Sequence, residues 1–183
     1  MNLAALKLPD FRVTLLTRFC VMMSWLAGDV IIGWQVYSIT KDPLMLGLVG
    51  LTEAVPALIC ALFAGHIVDI SRPYKVFLIC VLIMCLNMLT LLLVAGAYVK
   101  VSNILPWLFV GIFISGISRA FIMPSSFALL PQVVPKNLMS SASAMLTGNF
   151  QLASVLGPAL AGLIYGGYGA HIAWLIPISF ISI

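Results

Sequence analysis

The sequence predicts an all-α membrane protein, and three observations support that fold class. Of its 183 residues, 63% are hydrophobic and only 8% are charged, whereas a soluble domain carries about 25% charged residues. The mean hydropathy is +1.19, which is more apolar than a water-soluble core can use, so lipid must be the solvent. The apolar residues also form long runs separated by short polar breaks.

Six apolar segments are predicted to be transmembrane helices. Their approximate ranges are 13–39, 44–68, 76–99, 104–130, 138–165 and 172–183. Each of the first five exceeds the roughly 20 residues needed to cross the hydrocarbon layer. The sixth is incomplete, since it stops after about half a span and would leave backbone groups unsatisfied in lipid. We therefore expect the sequence to be a fragment of a longer chain.

Short polar breaks separate the segments, at 40–43, around Asp69, and at 100–103, 131–137 and 166–171. Short connections make consecutive helices antiparallel neighbours. Pro73 lacks a backbone N–H and disfavours helix in the residues just before it. The break around Asp69 is therefore predicted to be a tight polar turn.

The basic residues predict the orientation of the bundle. One end collects Lys7, Arg12, Arg72, Lys75 and Lys136. The other end collects Lys41 and Lys100. The positive-inside rule then places the N-terminus and the Asp69 turn in the cytoplasm. The net charge of +4 is scattered and forms no basic patch of the kind that binds nucleic acid, so the lipid bilayer is the expected partner.

The four cysteines all lie inside apolar runs without a C-x-x-C spacing: Cys20, Cys60, Cys80 and Cys85. We interpret them as small apolar packing residues and predict no disulfide, metal site or cofactor. No nucleophile–base constellation is present in the sequence either, so no enzymatic activity is expected.

Three charged residues fall inside predicted spans: Asp29, Glu53 and Arg119. At about 1.5 Å per residue, they lie roughly 15, 14 and 22 Å from the outer ends of their helices, so Arg119 could pair with either acid. A charge at the bilayer centre costs about 2.5–3.5 kcal/mol. One interpretation is an ion pair that only holds helices together. The other is a substrate and proton site, because a carboxylate shielded from water can take up and release a proton.

Arg18 lies nearer the cytoplasmic end of the first span, and we expect it to snorkel toward the interface. The third and sixth spans carry no charged residue, so we expect them on the lipid-facing rim, with the first, second and fourth lining the interior. The fifth span is rich in small residues and contains Pro158. This pattern favours either tight helix packing or a hinge between alternating states.

Several motifs in this order resemble the N-terminal half of a major facilitator superfamily transporter. Gly65 and Asp69 match the superfamily's Gly-x-x-x-Asp-Arg loop motif, Ile70 takes the next, basic position, and Arg72 and Lys75 supply positive charge slightly later. The helix-five motif associated with antiporters is matched by Ala144, Ala153, Gly157, Pro158, Ala161 and Gly162, with alanine replacing glycine at three of these positions.

Four further stretches resemble the branch that includes siderophore and macrolide efflux proteins: 26–29, 34–40, 118–124 and 130–135. The resemblance implies the N-terminal half of a twelve-helix exporter, built as a 3+3 inverted repeat, whose missing C-terminal six-helix half completes a central site. It also implies a proton-coupled transporter of a drug or siderophore-like molecule in the bacterial inner membrane. Asp29 is then the favoured coupling residue, because the first helix lines the cavity of such exporters.

Two alternatives stay open at this point. One is a lysophospholipid transporter of the same superfamily, which a fused acyltransferase domain after the transmembrane region would indicate. The other, from a different class, is a non-transporting membrane scaffold, but no extramembrane domain is evident in the sequence that could bind a partner.

Overall fold

The computed structural model describes residues 3–95 and 102–181, and the regular structure within these ranges is helical. The long helices are α1 (Pro9–Thr40), α2 (Pro43–Ile70), α3 (Pro73–Ala95), α4 (Leu105–Val133) and α5 (Met139–Tyr168). Two short helices follow, α6 (Ala170–Ala173) and α7 (Leu175–Ile181), and 3-10 turns lie at Leu3–Lys7 and Lys136–Leu138. The five long helices are sufficiently apolar to cross a membrane, which confirms five of the predicted spans.

Helices α1 and α2 begin earlier and end later than the predicted apolar runs, α3 begins earlier, and α4 and α5 end three residues later. Pro9, Pro43 and Pro73 open α1, α2 and α3, where a missing N–H costs nothing because the first turn has no intrahelical acceptor for it. The predicted start of a loop at Pro131 is wrong, since α4 continues through it to Val133. A proline removes one intrahelical hydrogen bond, and the loss of that one bond does not by itself end a helix.

The predicted break at 166–171 is also wrong in its extent. Gly166 and Gly167 belong to α5, and the chain turns only at Gly169, whose φ of 80° lies in the left-handed region that favours glycine. The predicted sixth span is interrupted at Trp174, and its described apolar helical stretch, Ala170–Ile181, is shorter than a full span. The end of the third predicted segment, with Lys100, and residues 182–183 lie outside the described residues.

Helix α1 lies at the centre of the described bundle. In its most apolar stretch 61% of the residues are buried, against 28% in α3 and 11% in α2. Helix α2 packs on α4, α3 packs on α4, and α1 packs against α5 and α7. Helix α2 is therefore less buried than α3 within the described bundle, and its leucines are exposed. That the second span lines an interior cavity stays a prediction.

Glycines set the closest helix crossings. A Cβ at Gly116 of α4 would collide with the backbone oxygen of Glu53 in α2. A Cβ at Gly157 of α5 would lie 3.2 Å from the Cβ of Leu26 in α1. Both crossings thus bring backbones together as small residues allow in membrane helices.

A polar network ties the α6–α7 break to the bundle. The buried Trp174 donates from Nε1 to Oε1 of Gln35 at 3.0 Å, and Gln35 Nε2 donates to the backbone oxygen of Ala95 at 2.9 Å. These two bonds provide hydrogen-bond partners for polar groups of Trp174, Gln35 and Ala95, which would otherwise need water. The break at Trp174 is therefore fixed against the ends of α1 and α3.

Candidate functional site

The three charged residues predicted inside the membrane spans come together where α1, α2 and α4 meet. Arg119 Nη1 lies 2.9 Å from Glu53 Oε1, so these two side chains form an ion pair. By depth alone Arg119 could pair with either acid, and the structure selects Glu53.

Trp25 joins this cluster and was not predicted from the sequence. Its Nε1 donates to the same Oε1 of Glu53 at 3.3 Å. The Arg119 guanidinium also stands over the Trp25 ring, with Cζ 4.4 Å from the ring centroid, within the range of a cation–π interaction. The signal was present, because Trp25 lies one helical turn before Asp29 and residues four apart share a helix face.

Gly116 explains why the ion pair forms. It lies three residues before Arg119, on the face of α4 that touches the backbone of Glu53. Because the two helices approach so closely there, the carboxylate and the guanidinium can meet without long side-chain extensions. Nothing in the sequence pattern alone distinguished Gly116 from the other glycines of the spans.

Asp29 forms no ion pair with any described residue. Its Oδ1 is buried without a hydrogen-bond partner among the described residues. It feels repulsion from Glu53 and attraction from Arg119, and it interacts with Trp25. The cluster therefore holds two carboxylates and one guanidinium, and the guanidinium bonds directly to Glu53.

The cluster opens onto a groove between α2 and α4. The side chain of Arg119 is 44% exposed and that of Glu53 only 14%. The groove has a volume of about 700 Å³, within the roughly 300–1,000 Å³ of small-molecule sites. Its walls are mostly small residues: Ala54, Ala57, Ala61, Gly65 and Ala120. Arg119 is thus a cation on the wall of an otherwise apolar groove.

Arg18 does not snorkel, and that prediction is wrong. Its relative exposure is 1%, because the face of α1 that carries it packs against α4. Nη2 donates to Met123 Sδ at 3.4 Å, and Cζ lies 4.9 Å from the centroid of the Phe127 ring. Nε and Nη1 are buried and have no hydrogen-bond partner in the described part of the chain.

The four residues of the predicted gating loop lie together around the turn between α2 and α3. Only two residues, Ser71 and Arg72, separate these helices. Gly65, Asp69, Arg72 and Lys75 are exposed. A Cβ at Gly65 would meet no described atom within 4 Å, so packing within the described chain does not require a glycine there.

The six positions of the helix-five motif divide between two environments. Ala153, Gly157 and Ala161 are buried at four-residue spacing, and Gly157 lies against Met23 and Leu26 of α1. Pro158 and Gly162 are half-buried and Ala144 is exposed. The buried half of the motif therefore provides the close α1–α5 contact, as the packing interpretation expects.

A family model described as transmembrane secretion effector, from the major facilitator superfamily, matches residues 1–183. No curated protein and no solved structure matches the chain.

Proposed function

Since the chain belongs to the transmembrane secretion effector family of the major facilitator superfamily, we propose that it is a proton-coupled exporter. It moves a small drug-like or siderophore-like molecule across the membrane by alternating access. The observation that carries this proposal is the convergence of Asp29, Glu53 and Arg119 inside the spans, beside a groove of ligand size. Ionisable groups in a membrane interior mark substrate and proton pathways.

Asp29 is the proposed proton carrier. Glu53 already accepts from Arg119 and from Trp25, so its charge is balanced within the cluster. The buried Oδ1 of Asp29 is free of hydrogen bonds to the described residues, which leaves that oxygen available for a proton. Protonation of Asp29 would also relieve its repulsion with Glu53.

We propose that a second six-helix half covers the face that carries Arg119. A guanidinium that is 44% exposed in the middle of a span cannot face lipid at low cost. A facing half would turn the groove into a central cavity, where major facilitators place their substrates between two halves. The two halves rock about that cavity to give alternating access.

The helix contacts support a 3+3 inverted repeat within the described chain. Helix α2 packs on α4 as α5 packs on α1, and α3 packs on α4 as α7 packs on α1. If α1, α2 and α3 are exchanged with α4, α5 and α7 in that order, the main helix contacts are therefore the same. Under this repeat, Arg119 on α4 and Asp29 on α1 occupy equivalent helices.

The proposed orientation has the N-terminus and the α2–α3 turn in the cytoplasm of a bacterial cell. Lys7, Arg12, Arg72, Lys75 and Lys136 are exposed at one end of the bundle. Ala5 of the N-terminal turn and Phe11 of α1 pack with Val134 of the α4–α5 connection. That end carries the basic excess, as the positive-inside rule requires of the cytoplasmic side. The exposed Gly65, Asp69, Arg72 and Lys75 would then gate the cytoplasmic opening, and Pro158 would serve as a hinge in α5.

The test is efflux driven by a pH gradient in membrane vesicles that contain the whole transporter, with a panel of fluorescent amphiphiles as probes. We expect Asp29→Asn to abolish gradient-driven efflux while the probe still binds, and Glu53→Gln to reduce it less. Asp10→Asn, which removes an exposed acid from the same helix, is the matched control and should transport normally. If Asp29→Asn and Glu53→Gln both transport like the parent, the carboxylates are structural and the coupling proposal fails.

A further inference from the structure

Arg18 is a second cation within the α1–α4 seam, and the described chain leaves it without a counter-charge. It is 1% exposed, and its Nε and Nη1 donate to nothing among the described residues. Its remaining contacts are a thioether sulfur and an aromatic ring, which are weak partners for a guanidinium. A buried cation with unused donors is destabilising unless an anion completes it.

The acids of the described chain do not supply that anion. Glu53 is bound to Arg119. Asp29 lies eleven residues further along α1, about 16 Å away along the helix axis, and Asp10 lies eight residues before Arg18, about 12 Å away. The missing partner of Arg18 is therefore best sought outside the described chain.

Met123 contacts Arg18 and also lines the groove between α2 and α4. Its sulfur accepts from Arg18 Nη2, and the same side chain lines the groove one turn beyond Arg119. Methionine is unbranched and has three rotatable side-chain bonds, so it changes conformation at low cost. If Met123 changed its rotamer, the guanidinium of Arg18 could reach the groove. The polar side chain that already lines this groove is Arg119.

We propose that Arg18 is the head-group recognition residue of this groove and that Met123 covers it when the site is empty. The ligand class is an amphiphile with one oxyanion head, a carboxylate or a phosphate, and an apolar body. The planar guanidinium donates two parallel hydrogen bonds to such a head, and the alanine-lined walls of the groove receive the body. This inference rests on the proposed transport function, since it assigns the exported compound a chemical class.

The experiment measures thermal unfolding of the chain in nonionic maltoside micelles, which contain no oxyanion. Octyl phosphate is the probe, octyltrimethylammonium is the head-group control, and inorganic phosphate at equal ionic strength tests for a free anion. We expect only octyl phosphate to raise the unfolding midpoint, by at least about 2–4 °C at saturation. Arg18→Met should raise the octyl phosphate concentration needed for half of this shift by about tenfold or more, whereas Met123→Ala should lower that concentration.

The matched control is Arg12→Met, which removes an exposed arginine from the same helix and should respond like the parent. Arg18→Met removes an unpaired buried charge and is therefore expected to fold, and Arg18→Lys should retain part of the response. An undiminished response of Arg18→Met, or an equal response to octyltrimethylammonium, overturns the proposal. An equal response to inorganic phosphate overturns the assignment of an amphiphile.

Because no gradient or transport is involved, this result is independent of the efflux test. A parent chain that responds to octyl phosphate through Arg18 supports the site even if Asp29→Asn transports normally. Conversely, if Asp29→Asn loses efflux and Arg18→Met responds to octyl phosphate like the parent, the oxyanion site is wrong and the exporter proposal is supported.

Discussion

Two arginines cross the seam between α1 and α4 in opposite directions. Arg119 reaches from α4 over the ring of Trp25 in α1, and Arg18 reaches from α1 over the ring of Phe127 in α4. The arginines differ in what lies beyond the ring. Arg119 meets the carboxylate of Glu53 and stays 44% exposed, whereas Arg18 is 1% exposed and meets no described carboxylate.

The two arginines differ in whether a third helix brings a carboxylate to the guanidinium. At Arg119, α2 approaches α4 closely enough for Glu53 to reach the guanidinium, because Gly116 has no side chain in the way. The groups that contact the guanidinium of Arg18 are Met123 and Phe127, and both belong to α4. We infer that the first site is held together by the chain and that the second is completed by a ligand.

The largest expected effect comes from making the same substitution at both arginines. Arg119→Met should lower the free energy of unfolding by about 3 kcal/mol, because it leaves Glu53 and Asp29 as uncompensated acids. Arg18→Met should leave the free energy of unfolding unchanged or raise it, because it removes a charge that has no partner. Thermal or denaturant unfolding in nonionic micelles compares the two, and equal losses would remove the distinction between the sites.

A smaller effect is expected from closing the space at Gly116. Gly116→Ala should lower the free energy of unfolding by about 2 kcal/mol, because the new methyl group forces α2 away from α4. Gly50→Ala on α2 is the control, since its Cβ would meet no described atom within 4 Å, and it should leave the value unchanged or raise it by up to about 1 kcal/mol.

The Gly116 experiment also tests the link between the crossing and the ion pair. If the Arg119–Glu53 pair depends on the close approach of α2, Gly116→Ala should lower the free energy of unfolding less in the Arg119→Met variant than in the parent. Both changes would then remove the same ion pair. Strictly additive losses would show that the crossing and the pair are independent.

The smallest effect should come from the indole of Trp25. Trp25→Phe keeps an aromatic ring beneath Arg119 but removes the N–H that donates to Glu53, so we expect a loss of about 1 kcal/mol. Trp107→Phe, at a residue that is 44% exposed, should change little in the same unfolding assay. A loss at Trp25 no greater than that at Trp107 would mean that Arg119 alone holds Glu53.

Hydropathy and charge along the chain determined most of the fold. The five long helices, the tight turn before Pro73 and the presence of three charges within the spans all follow from local composition. These features depend on the cost of exposing backbone or charge to lipid, which each stretch of sequence carries by itself. The predicted ends of α4 and α5 were misplaced because neither Pro131 nor the pair Gly166 and Gly167 ends its helix, although all three residues are exposed.

Tertiary structure alone decided how those charges are used. Asp29 and Glu53 were equally eligible partners for Arg119 in the sequence, and the Gly116 crossing selected Glu53. Arg18 was expected at the interface, and the packing of α1 against α4 buried it. Hydropathy gives the depth of a residue in the membrane, but pairing and burial depend on which helix faces it and how closely, and that is set by contacts between residues far apart in the chain.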